Sequence, residues 1–276
     1  MAAITARDIL GYSQISEQVA KQESIIRNVS NLEIQGTPGS TTVSVYVNAL
    51  STVATYVPGT GVTATNDTSA YVNLGDFTEV GISEIIDGYT IESAPADLVV
   101  SRLYAAISAM DEQIDTDALA VMITDGTELV ATGSAAPVDS TVYADILLAK
   151  TALDTAKAPQ RDRSLLITPA LLRLMLDQDS KLVLNTPAGD AIQQDGYFGR
   201  VLGFDVYMTT LMTAGTNFIA MQKRGFAFGD SWVKTPAIVS LDGTAEFYGD
   251  SCIKARNAYV YGAVRPTFIQ VNNGAA

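Results

Sequence analysis

SAPADLVVSRLYAAISAMDEQIDTDALAVMITD, residues 93–125, carries one apolar stripe along its whole length. Val99, Leu103, Ile107 (with Ala106), Met110, Ile114, Ala118 and Val121 recur at spacings of three and four, the mark of an amphipathic helix. Ser93 is placed to cap it, Pro95 suits the first turn, and Asp97 complements the positive end of the helix dipole. The stripe stops at Asp125-Gly126. The pattern predicts a helix over 94–125, about 30 residues and roughly 45 Å long. Ordinary helices run ~11–12 residues, so this one is a structural rod. The alternative is two shorter helices broken near Asp115.

Ahead of the rod the chain is extended. Ser13 to Ser30 reads as a helix capped by Ser13 or Ser16, and a turn follows at Gly36-Thr37-Pro38-Gly39. Thr41 to Val47 alternates apolar and polar residues and predicts a half-buried strand. A second extended run, Ser51 to Val57, ends at Pro58-Gly59, and Ala70 to Leu74 returns across a Gly/Thr/Asn tip, Gly59 to Ser69. Together these make a long hairpin. A two-stranded hairpin is marginal alone in water, so this one needs a neighbour. No Lys or Arg lies between Arg27 and Arg102, while Glu33, Asp67, Asp76, Glu79, Glu84, Asp87, Glu92 and Asp97 do. Any partner of this region meets an acidic surface. Phe77 to Ile86 predicts a further strand, turned by Asp87-Gly88.

Behind the rod helices and strands alternate. Thr127 to Pro137 is loop-like. Asp139-Ser140 heads a helix through Lys157, with Val142, Ile146, Ala149 and Leu153 on one face. Ser164 to Thr168 is a short buried strand, Pro169 starts a helix through about Gln178, and Thr186 to Gly196 is a polar loop. Arg200 to Met208 and Asn217 to Met221 are extended runs, and Ala258 to Val264 makes a last strand closed by Arg265-Pro266. This argues for a compact α/β region from about 127 to 250 within an α+β chain.

Composition limits the chemistry. The chain has 276 residues, 17 basic against 30 acidic, a net charge of −13, no histidine and one cysteine. Histidine-dependent triads and His or Cys metal sites are excluded. A tight nucleic-acid coat needs more Lys and Arg than this. Gly59 to Ala64 matches the glycine spacing of a dinucleotide loop, but that motif opens a helix and this stretch leads into a turn. Asp111, Glu112, Asp115 and Asp117 read as a solvated or subunit-facing acidic surface, with a cation site or catalytic dyad as the alternative. Asp177-Gln178-Asp179 lacks the continuation of a calcium loop. Cys252 reads as a small buried hydrophobe. No signal peptide and no membrane span are predicted. No catalytic, cofactor-binding or metal-binding residue is assigned.

The order of elements, with Leu165-Leu166-Ile167-Thr168-Pro169 before a helix, Phe198-Gly199-Arg200-Val201-Leu202-Gly203-Phe204-Asp205-Val206-Tyr207, and Asn257 to Pro266 as closing strand, resembles the major capsid proteins of tailed bacteriophages, the Hong Kong-type fold shared with encapsulins. The resemblance implies an N-terminal arm over 1–33 and an extended β-hairpin loop over 34–76. It implies a peripheral domain over 77–126 plus 251–276, with spine helix 94–125, and an α/β axial domain over 127–250. It implies a protein without enzymatic activity or cofactor that self-assembles, as hexamers and pentamers, into an icosahedral shell around double-stranded DNA. DNA is expected to touch it only weakly and non-specifically, and no membrane is involved. Separate scaffold and portal proteins, with possible decoration proteins, are the expected partners. Assembly in the host bacterial cytoplasm and residence in the virion follow. An encapsulin-like compartment, a β-rich tail tube or surface protein, and a carboxylate hydrolase are the rival readings.

The hairpin is expected to lie across a neighbouring subunit through Thr42, Ser44, Tyr46, Tyr56, Asp67, Tyr71 and Asp76. Arg161, Arg163, Lys181, Arg200, Lys223 and Arg224 are the basic residues it could seek. One relative seals its shell with a Lys–Asn isopeptide bond whose lysine sits on the extended loop. This sequence has no lysine between Lys21 and Lys150, so no such bond is expected.

Overall fold

The computed structural model describes residues 24–31, 43–62, 66, 68–93, 98–129, 137–138, 141–176, 199–241, 243 and 249–274. In chain order the elements are α1 (Ile26–Val29), β1 (Val43–Val47), β2 (Ala70–Gly75), β3 (Thr78–Ile86), α2 (Gly88–Ser93), α3 (Leu98–Asp125), β4 (Thr127–Glu128), α4 (Val142–Thr155), β5 (Arg163–Ile167), α5 (Pro169–Met175), β6 (Arg200–Val201), β7 (Phe204–Met208), β8 (Phe218–Gln222), β9 (Phe226–Ser240), β10 (Ser251–Ala263) and β11 (Ile269–Asn272).

Three sheets form: β1-β2, β3-β10-β9, and β4-β11-β8-β5-β7-β6. In the six-stranded sheet β5 is central, parallel to β7 and antiparallel to β8. All five of its residues are buried, as expected of a strand covered on both faces. Leu165 and Ile167 point to one core with Val142, Ile146, Ala149 and Leu153 of α4 and Leu171 of α5. Leu166 points to the other, with Ile114, Ala118, Leu119 and Met122 of α3. Burying each such side chain contributes about 1.5–3 kcal/mol, so the two-sided strand anchors this half of the molecule. Pro169 opens α5 as expected, and the Thr168 hydroxyl accepts the Leu171 N–H.

α3 is one unbroken helix of 28 residues, so the break near Asp115 does not occur. At ~1.5 Å per residue it spans roughly 42 Å. Its first half packs on β3 and β10 around Ala106, Ile86 and Ile253; its second half packs on the six-stranded sheet. The buried stripe drifts late, to Leu119 and Met122 rather than Val121, because 3.6 residues per turn walks slowly round the helix. The expected start at 94–97 lies outside the described residues. Only glycine fits directly after α3, at position 126: a Cβ there would sit 2.5 Å from the Met122 carbonyl and 2.6 Å from a Val271 methyl.

Several expectations are corrected. Arg200 to Met208 is not one run. It folds back as β6 and β7 through Leu202 and Gly203, whose φ values of 50° and 92° suit a tight primed hairpin turn. Ser51 to Val57 joins no strand ladder among the described residues; Val57 only bridges to Gly61 across a turn. That turn leads into no helix among the described residues, so the glycine spacing there is a loop tip. β9 was not legible in the sequence. Strand pairing links the expected segments: β9, from 127–250, pairs with β10, from 251–276, and β11, from 251–276, pairs with β8, from 127–250.

Candidate intersubunit surface

The hairpin forms with Val45 opposite Val72, Tyr46 opposite Tyr71 and Val47 opposite Ala70. Side chains alternate between its faces. Val43, Val45, Val47, Val72 and Leu74 are half-buried, while Ser44, Tyr46, Tyr71 and Asn73 are exposed. Two contacts fix its base. Leu74 lies over Gly262 of β10, where a Cβ would come within 2.8 Å of it. The Arg265 guanidinium donates to the Asn48 carbonyl at 3.1 Å.

Beyond that base the hairpin has no core. No described residue between Val43 and Gly75 is buried. Tyr46 and Tyr71 rest on each other with ring centroids 5.0 Å apart, and Tyr71 is 73% exposed. Leu50 is 87% and Val53 94% exposed, with Tyr56, Val57 and Val62 also exposed. Large apolar side chains left in water in this number along one hairpin usually mark a partner surface. The aliphatic residues Leu50, Val53, Val57 and Val62 were absent from the expected contact set. Their signal in the sequence was an apolar series with no periodic partner.

The expected site residues divide. Thr42, Asp67 and Lys181 lie outside the described residues. Ser44, Tyr46, Tyr56, Tyr71 and Asp76 are exposed. Arg161 and Arg224 are exposed and Lys223 half-buried. These three gather at one end of the six-stranded sheet, where the Lys223 N–H donates to the Asp162 carbonyl at 3.0 Å and Gln222 Nε2 donates to the Arg161 carbonyl at 3.4 Å. Arg200 is exposed and paired with Asp205 at 3.1 Å. Arg163 is a correction. It is 2% exposed and donates to Asp154 at 2.7 Å, the Ala158 carbonyl at 2.7 Å and the Pro159 carbonyl at 2.9 Å. Nε and Nη2 are engaged on its own chain, and burial keeps the side chain out of a neighbour's reach.

The acidic cluster on α3 is also corrected, since most of it serves the fold. Asp111 pairs with Arg27 at 2.9 Å, and Arg27 reaches Asp230 of β9 at 2.9 Å. Asp115 is buried and accepts from Ser24 and Ile25. Asp117 accepts from the buried Tyr259 hydroxyl at 2.6 Å; burial and this carboxylate push the phenol far above its usual range. Glu112 is exposed. Among the described residues no three His, Cys, Asp or Glu side chains converge to hold a metal. No described helix is long and apolar enough to cross a membrane. Cys252 is buried.

The sequence pattern that defines the family described as "Phage capsid protein" matches residues 90–272, more than half of the chain. The chain belongs to the phage capsid protein family. Solved phage structures carry the same fold. A chain from Mycobacterium phage Che8 superposes with a TM-score of 0.78 at 18% identity, covering 97% of each chain. A chain of the capsid of cyanophage P-SCSP1u gives 0.75 at 13% identity, covering 97% of this chain and 92% of that one. A chain of the mature capsid of bacteriophage PhiM1 gives 0.70 at 11% identity, covering 96% and 91%. No curated protein matches the sequence. This capsid protein is therefore a structural protein with the phage major capsid fold, and its copies assemble into an oligomeric shell of the virion.

Proposed function

We propose that this capsid protein closes an icosahedral shell by laying the hairpin Val43–Gly75 of each copy across the next. The observation that carries this is the hairpin's composition: an exposed apolar series from Tyr46 to Tyr71 without a single buried described residue. A closed shell repeats one set of heterologous contacts, and each can be weak when many form at once. The exposed Arg161 and Arg224 and the half-buried Lys223 are the candidate seats for the lysine- and arginine-free ribbon.

In this reading β3, β9 and β10 with the first half of α3 form the peripheral unit. The six-stranded sheet with α4 and α5 forms the axial unit at the shell's five- and six-fold axes. The subunit catalyses nothing. Its partners are other copies, in hexamers and pentamers, with separate scaffold and portal proteins. Double-stranded DNA is packaged inside, held off by an acidic wall rather than bound. Assembly takes place in the host bacterial cytoplasm.

Electron microscopy of the expressed protein tests the reading, and closed particles are the expected product. Deleting Gly59 to Ser69 should leave a folded subunit, judged by circular dichroism and thermal melting, that assembles poorly. Normal assembly of that variant at low concentration would remove the hairpin as the clasp.

A further inference from the structure

The three-stranded sheet ends in a strand whose outer edge the shell reading leaves without a task. β9 is its outermost strand and is 15 residues long. Such an edge presents a row of backbone N–H and C=O groups that can template another strand. This edge does accept backbone. Asn31 bridges to it in parallel, its N–H donating to the Phe226 carbonyl at 3.0 Å and its carbonyl accepting the Phe228 N–H at 3.2 Å. No described strand covers the edge beyond Phe228. Trp232, Val233, Ile238 and Val239 are exposed there, the composition of an adhesive strand.

Between those two apolar pairs the strand is interrupted by Lys234-Thr235-Pro236. Pro236 has no N–H to offer a further strand, and proline is tolerated in sheets at edges and bulges. Lys234 is exposed and puts a charge on the edge. The register slips on both sides of it. Val233 is extra between the pairs Trp232–Asn257 and Lys234–Arg256, and Thr235 with Pro236 stands opposite Ala255 alone. A bulge bends the strand and breaks the regular spacing that a partner needs. Charge, proline and bulges are three separate ways of blunting an edge, and here they occupy four consecutive residues. They weaken the β9–β10 ladder, so pairing within the subunit does not explain them.

We propose that Val233–Pro236 is an edge guard, which keeps β9 of one copy from pairing with β9 of a second copy. Antiparallel pairing centred on this segment would set Lys234 against Lys234 or against Pro236, a like-charge contact or a missing donor. Without the guard, subunits crowded together during assembly would lock edge to edge in an orientation that competes with the contacts closing the shell. The inference rests on the shell-forming reading above.

Hydrogen exchange on wild-type subunits and particles reads the edge directly. The amides of 229–239 that point away from β10 should exchange at least about tenfold faster than those bonded to β10, in both states. Protection of the outward amides in particles would make the edge an interface and overturn the proposal. The second arm is the double variant Lys234→Val, Pro236→Val, which removes the charge and restores the N–H. It should give non-shell dimers or larger species by sedimentation, several-fold fewer particles, and protected outward amides. Shells at wild-type yield with no new species would overturn the proposal. Adding Trp232→Lys should restore particle yield by putting a charge back on the edge; the absence of rescue would mean that the double variant is merely misfolded and the guard idea wrong. If the wild type makes no particles at all, the shell reading fails, while exchange and sedimentation of the subunit still decide the guard.

Discussion

The backbone N–H of Ile25 donates to Asp115 Oδ2 at 2.9 Å, across 90 residues of sequence. Ser24 Oγ donates to the other carboxylate oxygen at 2.8 Å. Asp115 thereby caps the short helix α1 from the middle of α3 and fastens residues 24–31 to the spine. Asp115→Ala leaves these donors without their acceptor and should destabilise the subunit by about 1–3 kcal/mol. Denaturant unfolding of unassembled subunits measures it, and faster proteolysis near Ser24 should accompany it. Unchanged stability and cleavage would mean that the cap is decorative.

The same carboxylate gives a pH dependence. Burial raises its pKa above the ordinary 3.8, outweighing the pull downward of hydrogen bonds from Ile25, Ser24 and Ile26 and of the Arg27 charge. The folded chain therefore holds this proton more tightly than the unfolded chain. The resulting stabilisation is complete below the unfolded pKa and is lost as pH rises through the folded one. Asp115→Asn keeps an acceptor and removes the charge. The stability of the wild type relative to this variant should fall as pH rises from about 4 and then level off. Urea midpoints measured across that range check the sign; a difference that grows with pH would contradict it.

Arg163 is a buried cation that satisfies two carbonyls and Asp154. Arg163→Met preserves much of the stem but leaves the Ala158 and Pro159 carbonyls unmet. The loss expected is about 2–3 kcal/mol, the scale of hydrogen bonds to a charged group. Arg163→Lys should recover only part of it, because an ammonium lacks the planar fork. Thermal melts of the two variants check the order.

Asn257 lies in β10 between Val80 of β3 and Trp232 of β9. It is 1% exposed, and neither its Nδ2 nor its Oδ1 meets a hydrogen-bond partner among the described residues. A buried unpaired amide costs about 1–3 kcal/mol. Asn257→Leu, which keeps the branched outline of the side chain, should therefore raise the melting temperature of the subunit. A fall would show that the amide has a partner in solution.

The hairpin carries no lysine. Intact particles run on a denaturing gel should give a single subunit band, with no covalent ladder of the Lys–Asn kind.

Periodicity made the helices readable. The four buried residues of α4, Val142, Ile146, Ala149 and Leu153, recur at helical spacing and are the expected ones. The run Leu98–Asp125 contains neither glycine nor proline, and its length could be read directly. The hairpin was legible because alternation in Val43–Val47 and Ala70–Leu74 fixes which side chains share a face. β9 was hidden because Gly229, Asp230, Lys234 and Pro236 break any alternation. It is a strand only because β10 runs beside it.

The sequence by itself determined the long helix, the hairpin, the absence of histidine chemistry and the capsid-like order of elements. All of these are local or compositional, and local spacing dictates them. Only the tertiary structure decided that Arg163 turns inward, that Asp111, Asp115 and Asp117 hold the fold together, and that β9 belongs with β3 and β10. Arg27 meets Asp111 across 84 residues and Asp230 across 203. Whether a charge faces water or a buried partner depends on which distant segment arrives beside it, and no short-range pattern encodes that arrival.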